Sequence, residues 1–80
     1  MSPDDIWRAI DRLAAKNGLS RSGLAKRAGL NLTTFNPSKR HIAKGRTRWI
    51  NFETLHKVLN ATNTSLGDFI KLMEPPSAKR

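Results

Sequence analysis

"LSRSGLAKRAGLNLTTFNPSKRH", residues 19–41, decides how this chain is read. Ser20 is placed to cap a short helix that carries Leu24, Ala25 and Ala28 inward. Gly29 supplies the left-handed residue that stops it. Gly23 inside that helix costs roughly 1 kcal/mol against alanine, and close approach to a neighbouring helix is the expected return. Asn31 then caps a further helix beginning at Leu32, with Phe35 as its inward anchor. Pro37 would be about the sixth residue of that helix. Its missing N–H and its ring, which clashes with the Thr33 carbonyl, cost about 3 kcal/mol in a regular interior. The helix is therefore short. It ends or kinks near Asn36, where Asn-Pro serves as a turn or as a new cap and first position.

Outward from that stretch, helices dominate. Ser2, Pro3, Asp4 and Asp5 open a first helix, with Ile6, Ile10, Leu13 and Ala14 as its buried stripe, Trp7 beside it and Asn17-Gly18 as its stop. After Pro37, "SKRHIAKGRTRW" has no apolar period. It reads as a basic loop with one turn at Gly45, tethered by Ile42 and Trp49. Asn51 caps a fourth helix with Phe52, Leu55, Val58 and Leu59 inward, and Asn63 takes its left-handed stop. Ser65 and Asp68 form a short-armed capping box for a fifth. In that helix Leu66, Phe69, Ile70 and Met73 face in, while Leu72 lies off the stripe, free to seat a partner. Pro75-Pro76 ends it. The expectation is an all-α domain of five helices without strands over residues 1–74, and a tail or linker start over 75–80.

Charge narrows the function. Fifteen Lys and Arg against six Asp and Glu give a net charge of +9, and no acid occurs between Asp11 and Glu53. A one-signed block threaded with Leu19, Leu24, Leu30 and Phe35 is a folded basic surface, and its first implied partner is nucleic acid. Cysteine is absent and the two histidines are isolated, so no metal cluster or thiol chemistry is indicated and no cofactor is expected. No carboxylate pair has a partner base, and no catalytic residue can be named. No apolar run approaches the roughly 20 residues of a membrane span. The expected setting is cytoplasmic, in association with the nucleoid.

A short helix ending at Gly29, a tight turn, and a helix started by Asn31 form the spacing of a helix-turn-helix, with Ala25 small where two helices cross. Ser20, Leu24, Ala25, Gly29, Leu30, Thr34 and Phe35 match the pattern of the lambda-repressor-like (XRE-type) family of bacterial and phage regulators, which the chain resembles over about residues 4–73. "GLAKRAGL", "TTFNPSKR" and the later "GR.RW" and "KVL.AT.TSL.DF" are similar to the DNA-binding half of LexA-like repressors of the S24 peptidase family. The resemblance implies a five-helix domain that reads DNA with its third helix. It also implies a homodimer on a pseudo-palindromic operator, joined through helix five or a further domain. Repression is the implied outcome.

Roles follow from position. Stepping 100° per residue from Asn31 sends Phe35 to the core and Thr33, Asn36 and Pro37 the other way, with Leu32 and Thr34 at the flanks. Asn36 is suited to an adenine edge, Thr33 offers a hydroxyl, and the methyls of Thr33 or Leu32 meet a thymine methyl. These five (Leu32, Thr33, Thr34, Asn36 and Pro37) are the expected base-contacting set. Ser38, Lys39, Arg40 and His41 then run along the phosphates, and Lys44, Arg46 and Arg48 extend the track towards a minor groove. Arg21 meets the backbone by the family pattern, with Ser20 and Ser22 beside it at a helix N-terminus. About six neutralised phosphates per subunit would make affinity fall on the order of 10³-fold between 50 and 200 mM salt. Other residues have plainer readings. Lys26, Arg12 and Lys16 are surface residues, Trp7 and Trp49 are core or rim packing, and His56 is exposed. The competing function is a protein-binding, antitoxin-like adaptor whose contact lies on helix five and the tail, with DNA binding secondary.

Overall fold

The computed structural model describes residues 2–43 and 46–73, leaving aside the side chains of residues 42 and 43. Among them are four α-helices: α1 (Pro3–Lys16), α2 (Arg21–Arg27), α3 (Phe52–Ala61) and α4 (Leu66–Met73). Between α2 and α3 lie a turn at 32–35, a 3-10 helix (Pro37–Arg40) and an antiparallel pair of strands, β1 (His41–Ala43) and β2 (Arg46–Thr47). Four α-helices thus stand where five were expected, and the basic loop contains two strands where none was expected.

The helix ends follow local chemistry. Ser2 accepts from the Asp5 N–H at 3.3 Å and its own N–H donates to Asp5 at 3.0 Å, closing a capping box with aspartate in the usual glutamate place. Ser20 caps α2 through the Gly23 N–H, and Asn51 caps α3 through the N–H groups of Glu53 and Thr54. Ser65 accepts from the Asp68 N–H at the start of α4. Three helices end the same way. After α2 the Leu30 N–H reaches back to the Ala25 carbonyl and the Gly29 N–H to Lys26, with Gly29 at φ +74°. This paired closure needs a left-handed residue, and Gly18 and Asn63 fill the same place after α1 and α3.

The expected third α-helix is absent for a reason written in its sequence. A residue before proline is pushed out of the α region, and Asn36 is extended, at ψ 141°. Only residues 32–35 remain to form a helix, one turn, and a lone turn does not propagate. Its bonds are tight ones, from the Thr34 N–H to Asn31 and from the Asn36 N–H to Thr33. Asn31 still caps, accepting from both the N–H and the hydroxyl of Thr33. Pro37 then opens the 3-10 helix at its first position.

The core is formed by α1, α2, the 32–35 turn and the inner faces of α3 and α4. Ile10, Leu13, Leu24, Phe35, Val58 and Phe69 are its largest sealed side chains. Trp7 belongs to it as well, meeting Phe35 edge to face at 6.3 Å. Arg12 reaches the Leu72 carbonyl and ties α1 to α4. On α4 the inward stripe is Phe69, Leu72 and Met73. Leu66 and Ile70 are exposed, the reverse of the expected order, and Phe52 on α3 is 76% exposed rather than buried. Gly23 borders only its own cap, Ser20 and Leu19, so the expected helix approach there is not seen. The turn at Gly45 and the proline stop at 75–76 lie outside the described residues.

A Cβ added at Gly29 would meet nothing within 4 Å, so Gly29→Ala tests backbone strain alone. The expected loss is about 1 kcal/mol, a drop of about 4–8 °C in Tm by circular dichroism.

Candidate nucleic-acid interface

Arg40 was expected on the phosphate track. It is instead inside the protein, 9% exposed. Its Nη1 donates to Asp11 Oδ2 at 3.1 Å and its Nη2 to Asp11 Oδ1 at 2.7 Å, a fork matched to a carboxylate. The same Nη2 donates to the Phe35 carbonyl at 2.8 Å, and the guanidinium lies 5.2 Å from the Trp7 ring centroid. Arg40 thus binds the end of the 32–35 turn to α1, and its phosphate role is withdrawn. Asp11, given no role in the sequence reading beyond marking the start of the acid-free block, is the acceptor at the centre of this arrangement.

Arg21 shares that carboxylate from outside, at 3.1 Å, with its side chain still 47% exposed. Burial raises the Asp11 carboxyl, but hydrogen bonds from Arg40 and Arg21 and the charge of both outweigh it. The group lies below its ordinary 3.8.

The hairpin is tied to the same region. The Arg48 N–H donates to the Arg40 carbonyl at 2.7 Å, and Trp7 Nε1 donates to the Arg48 carbonyl at 2.8 Å. Thr47 donates its hydroxyl to Asp4 at 2.9 Å. Trp7 therefore does the tethering expected of Trp49, which is 56% exposed.

On the outer side of this clasp stands the expected reading set. Phe35 is fully buried, Leu32 is 53% exposed, Thr33 and Pro37 are exposed, and Thr34 and Asn36 are half-buried. Phe35 is inward and Thr33 and Pro37 outward as expected, whereas Asn36, also expected outward, is only half exposed. The Thr33 hydroxyl donates to Asn31 and the Thr34 hydroxyl to the Asn31 carbonyl, which leaves both oxygens as acceptors. Asn36 makes no capping bond, so its carboxamide is not spent on the 3-10 helix.

Ser22, Ser38, Lys39, His41, Arg46 and Arg48 are all exposed, as is Ser20, whose hydroxyl oxygen is engaged in capping. Lys44 lies outside the described residues. Two features escaped the sequence reading, the Asp11 pairing and the hairpin. Strands of three and two residues are too short to print a period-2 alternation, and a carboxylate 29 residues from its partner leaves no local trace.

A capped short helix, a glycine-closed turn and an outward polar turn beside exposed cations define a helix-turn-helix nucleic-acid-binding module. The chain belongs to the Cro/C1-type HTH DNA-binding domain family, which matches residues 9–75, and the family supports a DNA-binding transcription regulator. No curated protein and no solved structure matches it. No helix among the described residues is long and apolar enough to cross a membrane.

Arg40→Ala strands Asp11 and the Phe35 carbonyl and is expected to cost about 3 kcal/mol in urea unfolding, with Arg40→Lys recovering only part because an ammonium has no fork. Asp11 is depressed in the folded state, so its contribution is present above the unfolded value and lost as pH falls through the folded one. Urea midpoints should decline as pH falls below 3.8, and Asp11→Asn should flatten part of that decline. Asp5, also lowered by the Ser2 N–H, supplies a share that remains.

Proposed function

We propose that this chain is a sequence-specific reader of double-stranded DNA that acts as a transcriptional repressor. The turn at 32–35 and Asn36 enter the major groove, and Lys39, His41, Arg46 and Arg48 hold phosphates on either side. Family membership supports the DNA partner, and the geometry of Asn36 carries the specific reading. This residue ends the turn with an unspent carboxamide, beside an exposed Thr33 and above a sealed Phe35. A bidentate carboxamide contact to adenine discriminates by about 1–3 kcal/mol. Leu32, Thr34 and Pro37 shape the groove contact, and Ser20, Arg21, Ser22, Ser38 and Lys44 complete the phosphate set.

Arg21 has a double role in this reading. It rests on Asp11 in the free protein and swings to a phosphate on binding, while Arg40 holds Asp11 in place. Two copies bind a pseudo-palindrome, with α4 at the seam, and the exposed Leu66 and Ile70 support that placement. The resemblance of stretches within residues 23–69 to LexA-like S24-family repressors favours repression over activation. Residues 1–74 form the reading domain and 75–80 a tail or linker start, and the chain works without catalysis or cofactor, in the cytoplasm at the nucleoid.

With Arg40 removed from the track, five Lys and Arg of the expected set remain: Arg21, Lys39, Lys44, Arg46 and Arg48. Five neutralised phosphates per subunit predict a loss of about 500-fold in affinity from 50 to 200 mM salt. Gel shifts on the chain's own promoter and on random duplex measure both this slope and the preference. Equal affinity for the two duplexes at every salt concentration removes the specific-reader claim.

A further inference from the structure

Between the 32–35 turn and the start of α3 is a cleft of about 260 Å³, where the apolar Trp7 and Ile50 meet cationic and hydrogen-bonding side chains. Thr34, Lys39, Arg48, Trp49, Asn51 and Thr54 supply the rest of its lining. No carboxylate lines it. The ion pairs found among the described residues involve neither Lys39 nor Arg48. Asn51 spends its Oδ1 on the N–H groups of Glu53 and Thr54, which leaves its NH₂ as a donor. Arg48, the indole N–H of Trp49 and the lysine ammonium are donors as well.

Trp49 is the unexplained residue here. A tryptophan at 56% exposure leaves a large apolar face in water, and it is Trp7 that holds the Arg48 carbonyl through its indole N–H. An open aromatic face that shares one cleft with two cations and further donors matches an apolar sugar ring with its anionic phosphates.

We propose that this cleft is a sugar–phosphate site for one strand of the duplex, with Trp49 against a deoxyribose and Lys39 and Arg48 on the phosphates to either side. The inference rests on the DNA-reading function proposed above and adds a site to it. The cleft shares Thr34 with the reading turn, so a strand lying in it is continuous with the bases that the turn meets. Its role is to fix register, because sugar and phosphate contacts orient a protein on DNA without carrying sequence information. Trp49 is then a positioning residue, and its loss weakens specific and random duplex alike.

The test uses the two tryptophans as separate reporters, since Trp7 is 5% exposed and Trp49 is open. Acrylamide quenching is measured on the wild type and on Trp49→Phe, with and without a short random-sequence duplex at low salt. Duplex is expected to shield the accessible tryptophan in the wild type and to leave the emission of Trp49→Phe unchanged. Trp49→Ala should lose affinity on the order of tenfold on any duplex, the scale of one aromatic anchor. Lys39→Gln and Arg48→Gln should each take about 0.9 from the log–log salt slope. If duplex binds with Trp49 as open to acrylamide as before, the cleft is not a DNA site, and the reading turn stands without it. If gel shift detects no duplex binding by the wild type, both the cleft and the DNA-reading function fall. Should Trp49→Ala misfold, the quenching of the wild type alone decides.

Discussion

Arg40 and Asp11 form the ion pair on which the segment between α2 and α3 depends. Among the described residues from Gly29 to Asn51 there are one turn, one 3-10 helix and two short strands, too little regular backbone for the segment to hold its own shape. Arg40 gathers these pieces from within. Its side chain binds α1 through Asp11 and the turn through the Phe35 carbonyl, while its own carbonyl receives the Arg48 N–H at the base of the hairpin. Trp7 completes the clasp from α1, holding Phe35 edge-on and the Arg48 carbonyl by its indole N–H. A buried guanidinium is costly to desolvate, and a bidentate carboxylate partner together with an aromatic face offsets that cost.

The clasp explains how the proposed reading element can do without an α-helix. Pro37 forbids continuation and forces Asn36 into an extended conformation, so intrahelical hydrogen bonds cannot keep the turn rigid. Rigidity comes from one anchor below, Phe35, and one tie behind, Arg40. The same proline that shortens the element frees the Asn36 carboxamide and directs the chain into the cationic stretch after it. Shortness and exposure thus arise from one residue. The carboxylate at the centre also sets a charge balance: Asp11 neutralises the inner arginine and lends the outer one, Arg21, to the surface.

Much of this was legible in the residues. Caps and stops follow from side chains acting within a few positions of themselves, and Ser2, Ser20, Asn31, Asn51, Gly29 and Asn63 stand where local chemistry places them. The inward turn of Phe35 is equally local. Arg40 was misread because a basic residue within a basic run looks like its neighbours, and only the fold brings Asp11 to it. Phe52, Leu66 and Ile70 were misassigned because helical period identifies a stripe without stating which neighbour covers it, and α3 and α4 leave those side chains uncovered among the described residues. The hairpin was missed because five strand residues carry no readable alternation. The third helix is the instructive error: Pro37 was read as stopping a short helix near Asn36, but the restriction it places on Asn36 leaves a single turn and no α-helix.

The central claim is that the proline-limited turn, held by Arg40, reads base edges through Asn36. Selection of half-sites from a random duplex library, run in parallel with the wild type and Asn36→Ala, tests it most directly. The account predicts a two-fold symmetric site for the wild type, and for the variant the same site with preference relaxed at one base pair in each half. Identical selected sequences from the two proteins, at equal affinity, would contradict it.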